Sequence, residues 1–180
     1  MTDWLTSGTW QLGDLERKRL EAVLDCVIGD SLCDLGTRDG TFPLRVAWEN
    51  PNRRVVGIDT DEKGIAWANE QAIKLGLENF VAHTMDLFNA ASLGTFDTIV
   101  LMEVLEHLDP KRVEEAFDLA LGMATKRLII TVPSSTHISD PDHRTVFYRE
   151  MFHGRPGLHW VVGCPYIWAA FYVDKEGVTT

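Results

Sequence analysis

The chain has 180 residues, of which 45% are hydrophobic and 24% are charged. This length fits one domain, and the hydrophobic fraction supplies a packed interior, which excludes a disordered chain. With 27 acidic and 17 basic residues, the formal net charge is −10, which disfavours general binding to the phosphate backbone of a nucleic acid. We therefore expect a single globular domain over residues 1–180.

The apolar stretches are too short to cross a membrane. The longest, such as residues 98–102 and 128–132, fall far below the roughly 20 residues that a spanning helix needs. Residues 1–7 lack the basic region and apolar run of a signal peptide. Three cysteines without C-x-x-C spacing argue against a disulfide framework and a thiolate zinc site. The sequence thus predicts a cytoplasmic protein without a membrane partner.

Hydrophobic periodicity and turn signals predict alternating helices and strands up to residue 132. In chain order these are a helix at 15–27, a strand at 31–35, a helix at 41–49, a strand at 54–59, a helix at 62–75, strands at 80–84 and 96–102, a helix at 113–123 and a strand at 127–132. This alternation predicts an α/β fold with a Rossmann-like, doubly wound, mostly parallel sheet.

The pattern changes after the fifth predicted strand. A polar loop at residues 134–144 leads to a short helix near Arg149, and two apolar segments follow at residues 160–162 and 167–173. Turn residues separate these two segments. They predict an antiparallel hairpin at the C-terminal edge of the sheet.

Glycine and acidic residues follow three successive predicted strands. The run D-L-G-T-R-D-G at residues 34–40 follows the first strand, Asp59 ends the second, and Asp86 follows the third. Ligands of open α/β sheets bind at the carboxyl ends of the strands, where the strand order reverses. Taken alone, the glycines fit a tight turn and Asp59 fits a helix cap. Together these residues predict a nucleoside-shaped site, with Asp59 accepting from ribose hydroxyls and Asp86 from an adenine amino group.

With these residues the chain resembles the class I S-adenosylmethionine-dependent methyltransferases, over about residues 30 to 152. Their motif after the first strand is usually D-x-G-x-G-x-G; Asp34, Gly36 and Gly40 match it, whereas Arg38 replaces the middle glycine. The resemblance implies that S-adenosylmethionine is the cofactor and that residues 34–40 hold its methionine part. The implied cofactor-binding residues are Asp34, Gly36, Thr37, Arg38, Gly40, Asp59, Asp86, Met102 and Glu103.

The stretch E-V-L-E-H at residues 103–107 follows the fourth predicted strand. If a helix begins there, Glu103, Glu106 and His107 share one face, and their donor atoms suit magnesium, manganese or zinc. The alternative is an ordinary helix-cap and hydrogen-bond cluster. The stretch resembles the E-x-x-E-H segment of ubiquinone-biosynthesis O-methyltransferases and of small-RNA 3′-terminal ribose 2′-O-methyltransferases, where it is associated with a divalent metal.

A histidine after the fifth strand extends this resemblance. The small-RNA enzymes have a run similar to Pro141-Asp142-His143, with Phe147, Arg149 and Phe152 after it, and that run supplies a fourth metal ligand. The resemblance departs at Ser134, where those enzymes usually have asparagine. The implied metal-binding residues are Glu103, Glu106, His107 and His143.

The resemblance implies methylation of an oxygen, or less readily a nitrogen, on a small-molecule substrate. A divalent cation would lower the pKa of a hydroxyl, and without one His107 or His143 is the expected catalytic base. The alternatives are an RNA ribose 2′-O-methyltransferase and a non-catalytic nucleotide- or S-adenosylmethionine-binding module. A dehydrogenase of this fold would carry G-x-G-x-x-G, which the chain lacks.

Two expectations concern what covers the site. The segment containing Trp4 and Trp10 is interpreted either as a lid over the cofactor or as an anchor on the sheet. No large insertion separates the predicted strands, so the pocket is expected to be open or to be completed by a partner subunit, as in a homodimer.

Overall fold

Helices and strands alternate in the structure, a computed structural model that describes residues 14–133, 141–155, 158–162 and 166–172. Its α-helices are α1 (Asp14–Cys26), α2 (Thr41–Glu49), α3 (Glu62–Leu75) and α4 (Val113–Met123). Its strands are β1 (Ser31–Leu35), β2 (Arg54–Asp59), β3 (Phe80–Thr84), β4 (Phe96–Met102), β5 (Ala124–Pro133), β6 (Leu158–Val162) and β7 (Tyr166–Tyr172). Within the described ranges, no helix is long and apolar enough to span a bilayer.

The strands form one sheet in the order β3–β2–β1–β4–β5–β7–β6. Strands β1 to β5 pair in parallel with their neighbours, and β7 pairs antiparallel with both β5 and β6. The strand order reverses between β1 and β4, which places a ligand crevice at their carboxyl ends. The predicted Rossmann-like, mostly parallel sheet is confirmed.

Both faces of the central strands are covered. On one face, Leu32 of β1 packs in a cluster with Leu20 and Val23 of α1 and with buried residues of α2 and α3. On the other face, Cys33 packs in a cluster with Phe117 of α4. This burial on both sides explains why β1 and β4 are apolar along most of their length.

The start of β4 is tied to the segment that precedes β1. The Thr98 hydroxyl donates to the Ile28 carbonyl at 2.7 Å and accepts from the Ile28 N–H at 3.1 Å, across 70 residues of chain. The Asp97 carboxylate accepts from the Asp30 N–H at 2.7 Å. These bonds fix the register of β1 against β4 and so the relative height of their carboxyl ends.

The predicted element boundaries differ from the structure mainly at β5 and after β4. Strand β5 begins at Ala124, three residues before the predicted start, because Ala124 already pairs with Phe96. The condition that a helix begins directly after β4 is not met, because a three-residue 3₁₀ turn forms there, at Leu105–His107. Trp4 and Trp10 lie outside the described residues, and the single domain over residues 1–180 stays a prediction.

Candidate functional site

The turn between β1 and α2 forms one wall of the crevice. The N–H groups of Gly36 and Thr37 donate to the Ile58 carbonyl at 2.9 and 2.8 Å, which ties the turn to the end of β2. Gly36 has φ 84°, and a Cβ there would lie 2.5 Å from Cγ2 of Val104. A side chain at this position is therefore both conformationally and sterically unfavourable.

Backbone groups orient the carboxylate of Asp59 at the end of β2. The Arg38 N–H donates to its Oδ2 at 2.6 Å and the Asp61 N–H to its Oδ1 at 2.9 Å. Each carboxylate oxygen has a further lone pair, so both still accept from a ligand. The capping alternative for Asp59 is wrong, because α3 is capped by Asp61, whose side chain accepts from the Lys63 N–H.

Two cavities meet at this edge of the sheet. The first, the Asp59 cavity, has a volume of about 450 Å³ and is also bordered by Asp86. The second, the Asp34 cavity, has a volume of about 530 Å³. Four residues border both cavities: Gly36, Arg38, Glu103 and His107. The cavities therefore adjoin and form one cleft with two ends.

The structure brings most of the predicted cofactor residues to this cleft. Thr37 and Met102 border the Asp34 cavity, together with Asp34 itself. Gly40 borders neither cavity; it precedes α2 with φ 75°, and a Cβ there would lie 2.7 Å from the Ala68 Cβ. Gly40 thus allows the turn to approach α3, and contact of the other residues with a cofactor stays a prediction.

Asp34 is a buried carboxylate at the end of β1, with 2% of its surface exposed. Burial raises the pKa of Asp34 to about 7; the Thr37 hydroxyl opposes this rise, and the Asp59 carboxylate adds to it. A cation that enters the Asp34 cavity would favour the ionised form. The residue is therefore suited to a positively charged ligand group.

Glu103 is bound at both carboxylate oxygens. Its Oε1 accepts from the Thr131 hydroxyl at 2.8 Å, and its Oε2 lies 3.1 Å from Nη1 of Arg19. Burial raises the pKa of Glu103, and the Arg19 charge is the main opposing influence. The backbone of Glu103 has φ 56°, which interrupts helical geometry after β4. Glu103 consequently does not share a helix face with Glu106 and His107. This differs from the arrangement that a helix after β4 would have given.

Glu106, His107 and His143 come together beside the cleft, which His107 borders. One potential ligand atom from each residue lies within 4.8 Å of the others, and Glu106 is 1% exposed. The two imidazole rings meet edge to face, with centroids 5.0 Å apart. The N–H groups of Arg144 and Thr145 place His143, since both donate to the Glu106 carbonyl, at 2.7 and 3.0 Å. A carboxylate and two imidazoles fit a divalent cation such as Mn²⁺ or Zn²⁺.

Comparison with known proteins agrees with this geometry. Residues 28–142, more than half of the chain, match a family model described as a methyltransferase domain. The chain belongs to this methyltransferase family. The predicted resemblance to class I S-adenosylmethionine-dependent methyltransferases is confirmed.

Individual relatives of this methyltransferase are distant. The ubiquinone biosynthesis O-methyltransferase of Cronobacter sakazakii is 33% identical over 92 residues, which are 50% of this chain and 37% of that protein. The chain spans only between 22% and 37% of the length of the curated relatives that it matches.

Solved structures share the fold of this methyltransferase. The N-methyltransferase NodS from Bradyrhizobium japonicum WM9, in complex with S-adenosylhomocysteine, is 18% identical with a TM-score of 0.73, and 92% of each chain is covered. The magnesium protoporphyrin IX methyltransferase ChlM from Synechocystis PCC 6803, also with S-adenosylhomocysteine, is 17% identical with a TM-score of 0.69, over 92% of this chain and 89% of that one. At these identities the likeness shows the fold alone.

Sequence reasoning missed the contribution of α1 to the cleft. Glu16, Arg19 and Leu20 border the Asp34 cavity, as does Asp142. The sequence predicted a helix at residues 15–27 but assigned none of its residues to the site. The signal was present, because Glu16 and Arg19 are three residues apart and therefore lie on the same side of the helix.

Proposed function

We propose that this chain binds S-adenosylmethionine along the cleft and methylates an oxygen of a small hydroxylated acceptor bound beside His107 and His143. The observation that carries this proposal is the position of His107. It borders both cavities and also belongs to the cluster with Glu106 and His143. A cofactor in the cleft and an acceptor at the cluster would thus be neighbours.

The residues of the cleft fit the two ends of the cofactor. Asp59 accepts from the ribose hydroxyls, and Asp86, whose Oδ1 already accepts from the Phe88 N–H, has oxygen lone pairs left for the adenine amino group. The Asp34 cavity takes the amino-acid end. When bound, S-adenosylmethionine supplies a methyl group on a sulfonium. The task of these residues is to hold it in line with the acceptor oxygen.

The cluster assists removal of the proton from the acceptor hydroxyl. Glu106, His107 and His143 would hold a divalent cation, with Glu103 as the candidate fourth ligand, and such a cation lowers the pKa of a nearby hydroxyl. In its absence, an imidazole nitrogen of His107 or His143 accepts the proton, because a neutral imidazole has one nitrogen that is an acceptor. The adjacent Glu106 carboxylate then stabilises the imidazolium.

The choice of acceptor is supported by composition and by the names of two similar proteins, although other curated relatives are named for an N-methylation, for 16S rRNA and for a release factor. The net charge of −10 disfavours an RNA substrate. The curated relative from Cronobacter sakazakii is named as an O-methyltransferase of ubiquinone biosynthesis, and ChlM is named for magnesium protoporphyrin IX. Both names indicate small acceptors, and small hydroxylated compounds are accordingly the first to test.

The test begins with S-adenosylhomocysteine binding by calorimetry, followed by methyl transfer to a panel of phenols, catechols and hydroxy acids with matched amines. We expect binding, and turnover with at least one hydroxyl acceptor. Absence of binding would overturn the proposal. Turnover with amines alone would replace oxygen by nitrogen as the acceptor, and binding without turnover would favour the non-catalytic alternative.

The metal is tested with chelator and with single and double substitutions. Chelator should abolish turnover, and added Mn²⁺ should restore it. Glu106→Gln, His107→Ala and His143→Ala should each cost about as much as any two together, because each removes the shared ion. The matched control is His153→Ala, an exposed histidine outside the cluster. Full activity in excess chelator would remove the metal and leave an imidazole as the base.

A further inference from the structure

Arg19 and Glu103 form an ion pair where the cofactor cleft meets the cation cluster. We propose that Arg19 couples the two sites: the carboxylate at the amino-acid end of the cofactor draws Arg19 away, and Glu103 is then free to join Glu106, His107 and His143 around a cation. This inference rests on the proposed function. Arg19 acts here as a positioning residue, through Glu103.

The pair is shielded and specific. The side chains of Arg19 and Glu103 are 16% and 19% exposed, and Nη1 of Arg19 lies 3.1 Å from Oε2 of Glu103. The other carboxylate oxygen accepts from Thr131. Both oxygens of Glu103 are therefore engaged in this state, while Glu106, His107 and His143 gather without it.

The charges that border the Asp34 cavity explain why Arg19 would respond to the cofactor. The cavity is lined by more carboxylates than guanidinium groups, with Arg19 and Arg38 as the arginines among its described residues. The carboxylate of a ligand in this cavity would therefore form its ion pair with Arg19 or Arg38. Arg38 borders both cavities, whereas Arg19 borders only the Asp34 cavity, the one proposed to take the amino-acid end of the cofactor. A guanidinium binds a carboxylate through two parallel hydrogen bonds.

When Arg19 is drawn away, the ionised carboxylate of Glu103 loses its positively charged partner. A buried carboxylate that loses its partner is strongly destabilised. His107 and His143 lie close enough that their charges lower the pKa of Glu103, so the cluster is within electrostatic reach of this carboxylate. A divalent cation at the cluster would replace the lost charge. Cofactor and cation binding should then favour each other, to the same extent in both directions.

The experiment measures Mn²⁺ binding to the full chain by electron paramagnetic resonance, with and without saturating S-adenosylhomocysteine. Because this ligand has the amino-acid end but no methyl group to transfer, turnover does not interfere. For the wild-type chain we expect S-adenosylhomocysteine to tighten Mn²⁺ binding by about 5- to 100-fold. Calorimetry should give the same factor for the effect of Mn²⁺ on S-adenosylhomocysteine.

Substitutions assign the coupling to the pair. Arg19→Met should bind Mn²⁺ tightly without S-adenosylhomocysteine and show no further gain. Glu103→Gln should bind Mn²⁺ weakly under both conditions. Lys18→Met, at an exposed position of α1 that borders neither cavity, should behave as wild type. If Arg19→Met does not fold, Arg19→Lys serves instead: it retains the charge without the two-pronged geometry and should reduce the coupling.

The outcomes separate this inference from the function on which it rests. Equal Mn²⁺ affinity with and without S-adenosylhomocysteine in the wild-type chain overturns the coupling and leaves the proposed function standing. Coupling that persists in Arg19→Met or Arg19→Lys at the wild-type size overturns the role of Arg19. No Mn²⁺ binding under any condition removes the metal from the proposed function, and the inference with it.

Discussion

The Asp59 end of the cleft and the cation cluster differ in what holds their functional groups in place. At the Asp59 end, the N–H groups of Arg38 and Asp61 orient a carboxylate that sits on a strand of the sheet. At the cluster, His143 comes from a separate segment that docks through Arg144 and Thr145 on the Glu106 carbonyl. The first site is thus built into the fold, whereas the second depends on the docking of one segment against another.

The largest expected effect on stability comes from Gly36→Ala, which tests how strongly the wall of the cleft depends on the fold. The change combines a positive φ with a Cβ placed 2.5 Å from Val104, so we expect a loss of about 2 to 4 kcal/mol in unfolding free energy. Chemical denaturation measures it. Gly76→Ala is the matched control, because Gly76 also has a positive φ, 67°, but nothing within 4 Å of the added Cβ. Equal losses for the two variants would mean that the Val104 contact is unimportant.

Asp59→Ala tests whether the Asp59 end binds the cofactor. We expect S-adenosylhomocysteine to bind more weakly by about 1 to 3 kcal/mol, because two ribose hydroxyls lose a charged acceptor. Calorimetry gives the change directly. Asp61→Ala removes a carboxylate two residues away that borders neither cavity, and its affinity should stay near wild type. Unchanged affinity in a folded Asp59→Ala variant would contradict the assignment of this strand end.

The raised pKa of Asp34 predicts that the stability of the cofactor-free protein depends on pH. Its pKa is about 7 in the folded protein, whereas in the unfolded chain it lies near the ordinary aspartate value of 3.8. Between these values the folded protein retains a proton that the unfolded chain has lost, so stability falls as pH rises. Asp34→Asn should flatten this slope, gaining about 1 to 2 kcal/mol relative to wild type between pH 5 and pH 6.5. Parallel stability curves for the two proteins would exclude the raised pKa.

The smallest expected effect concerns the segment that carries His143 and docks through Arg144 and Thr145. The Thr145 hydroxyl donates to the Leu108 carbonyl at 3.1 Å, so Thr145→Val should cost about 0.5 to 1.5 kcal/mol of stability. It should also weaken Mn²⁺ binding while leaving S-adenosylhomocysteine affinity unchanged, as calorimetry can show. Ser92→Ala removes a similar hydroxyl-to-carbonyl bond, at 2.8 Å, away from the site and should affect neither ligand. If Thr145→Val weakened the binding of Mn²⁺ and of S-adenosylhomocysteine equally, the two regions would not differ in their dependence on the docked segment.

The sequence predicted the fold more closely than the site because the two depend on different information. Strand β2 and helix α3 were predicted residue by residue, since their apolar patterns and end signals are local. The Arg19–Glu103 pair joins residues far apart in the chain and has no local signal. The φ of 56° at Glu103 is equally hidden, because nothing in a glutamate favours a left-handed backbone.

The tie between Ile28 and Thr98 has a consequence for the order in which the chain folds. Strands β1, β2 and β3 follow one another closely, so their pairing closes short loops. Forming the Ile28–Thr98 bonds, and with them the pairing of β1 with β4, has to bring together residues 70 positions apart, at a larger cost in chain entropy. We expect this closure to limit the folding rate, since distant contacts slow folding. During synthesis, the carboxyl edge that carries both ligand sites would therefore assemble only after β4 has left the ribosome.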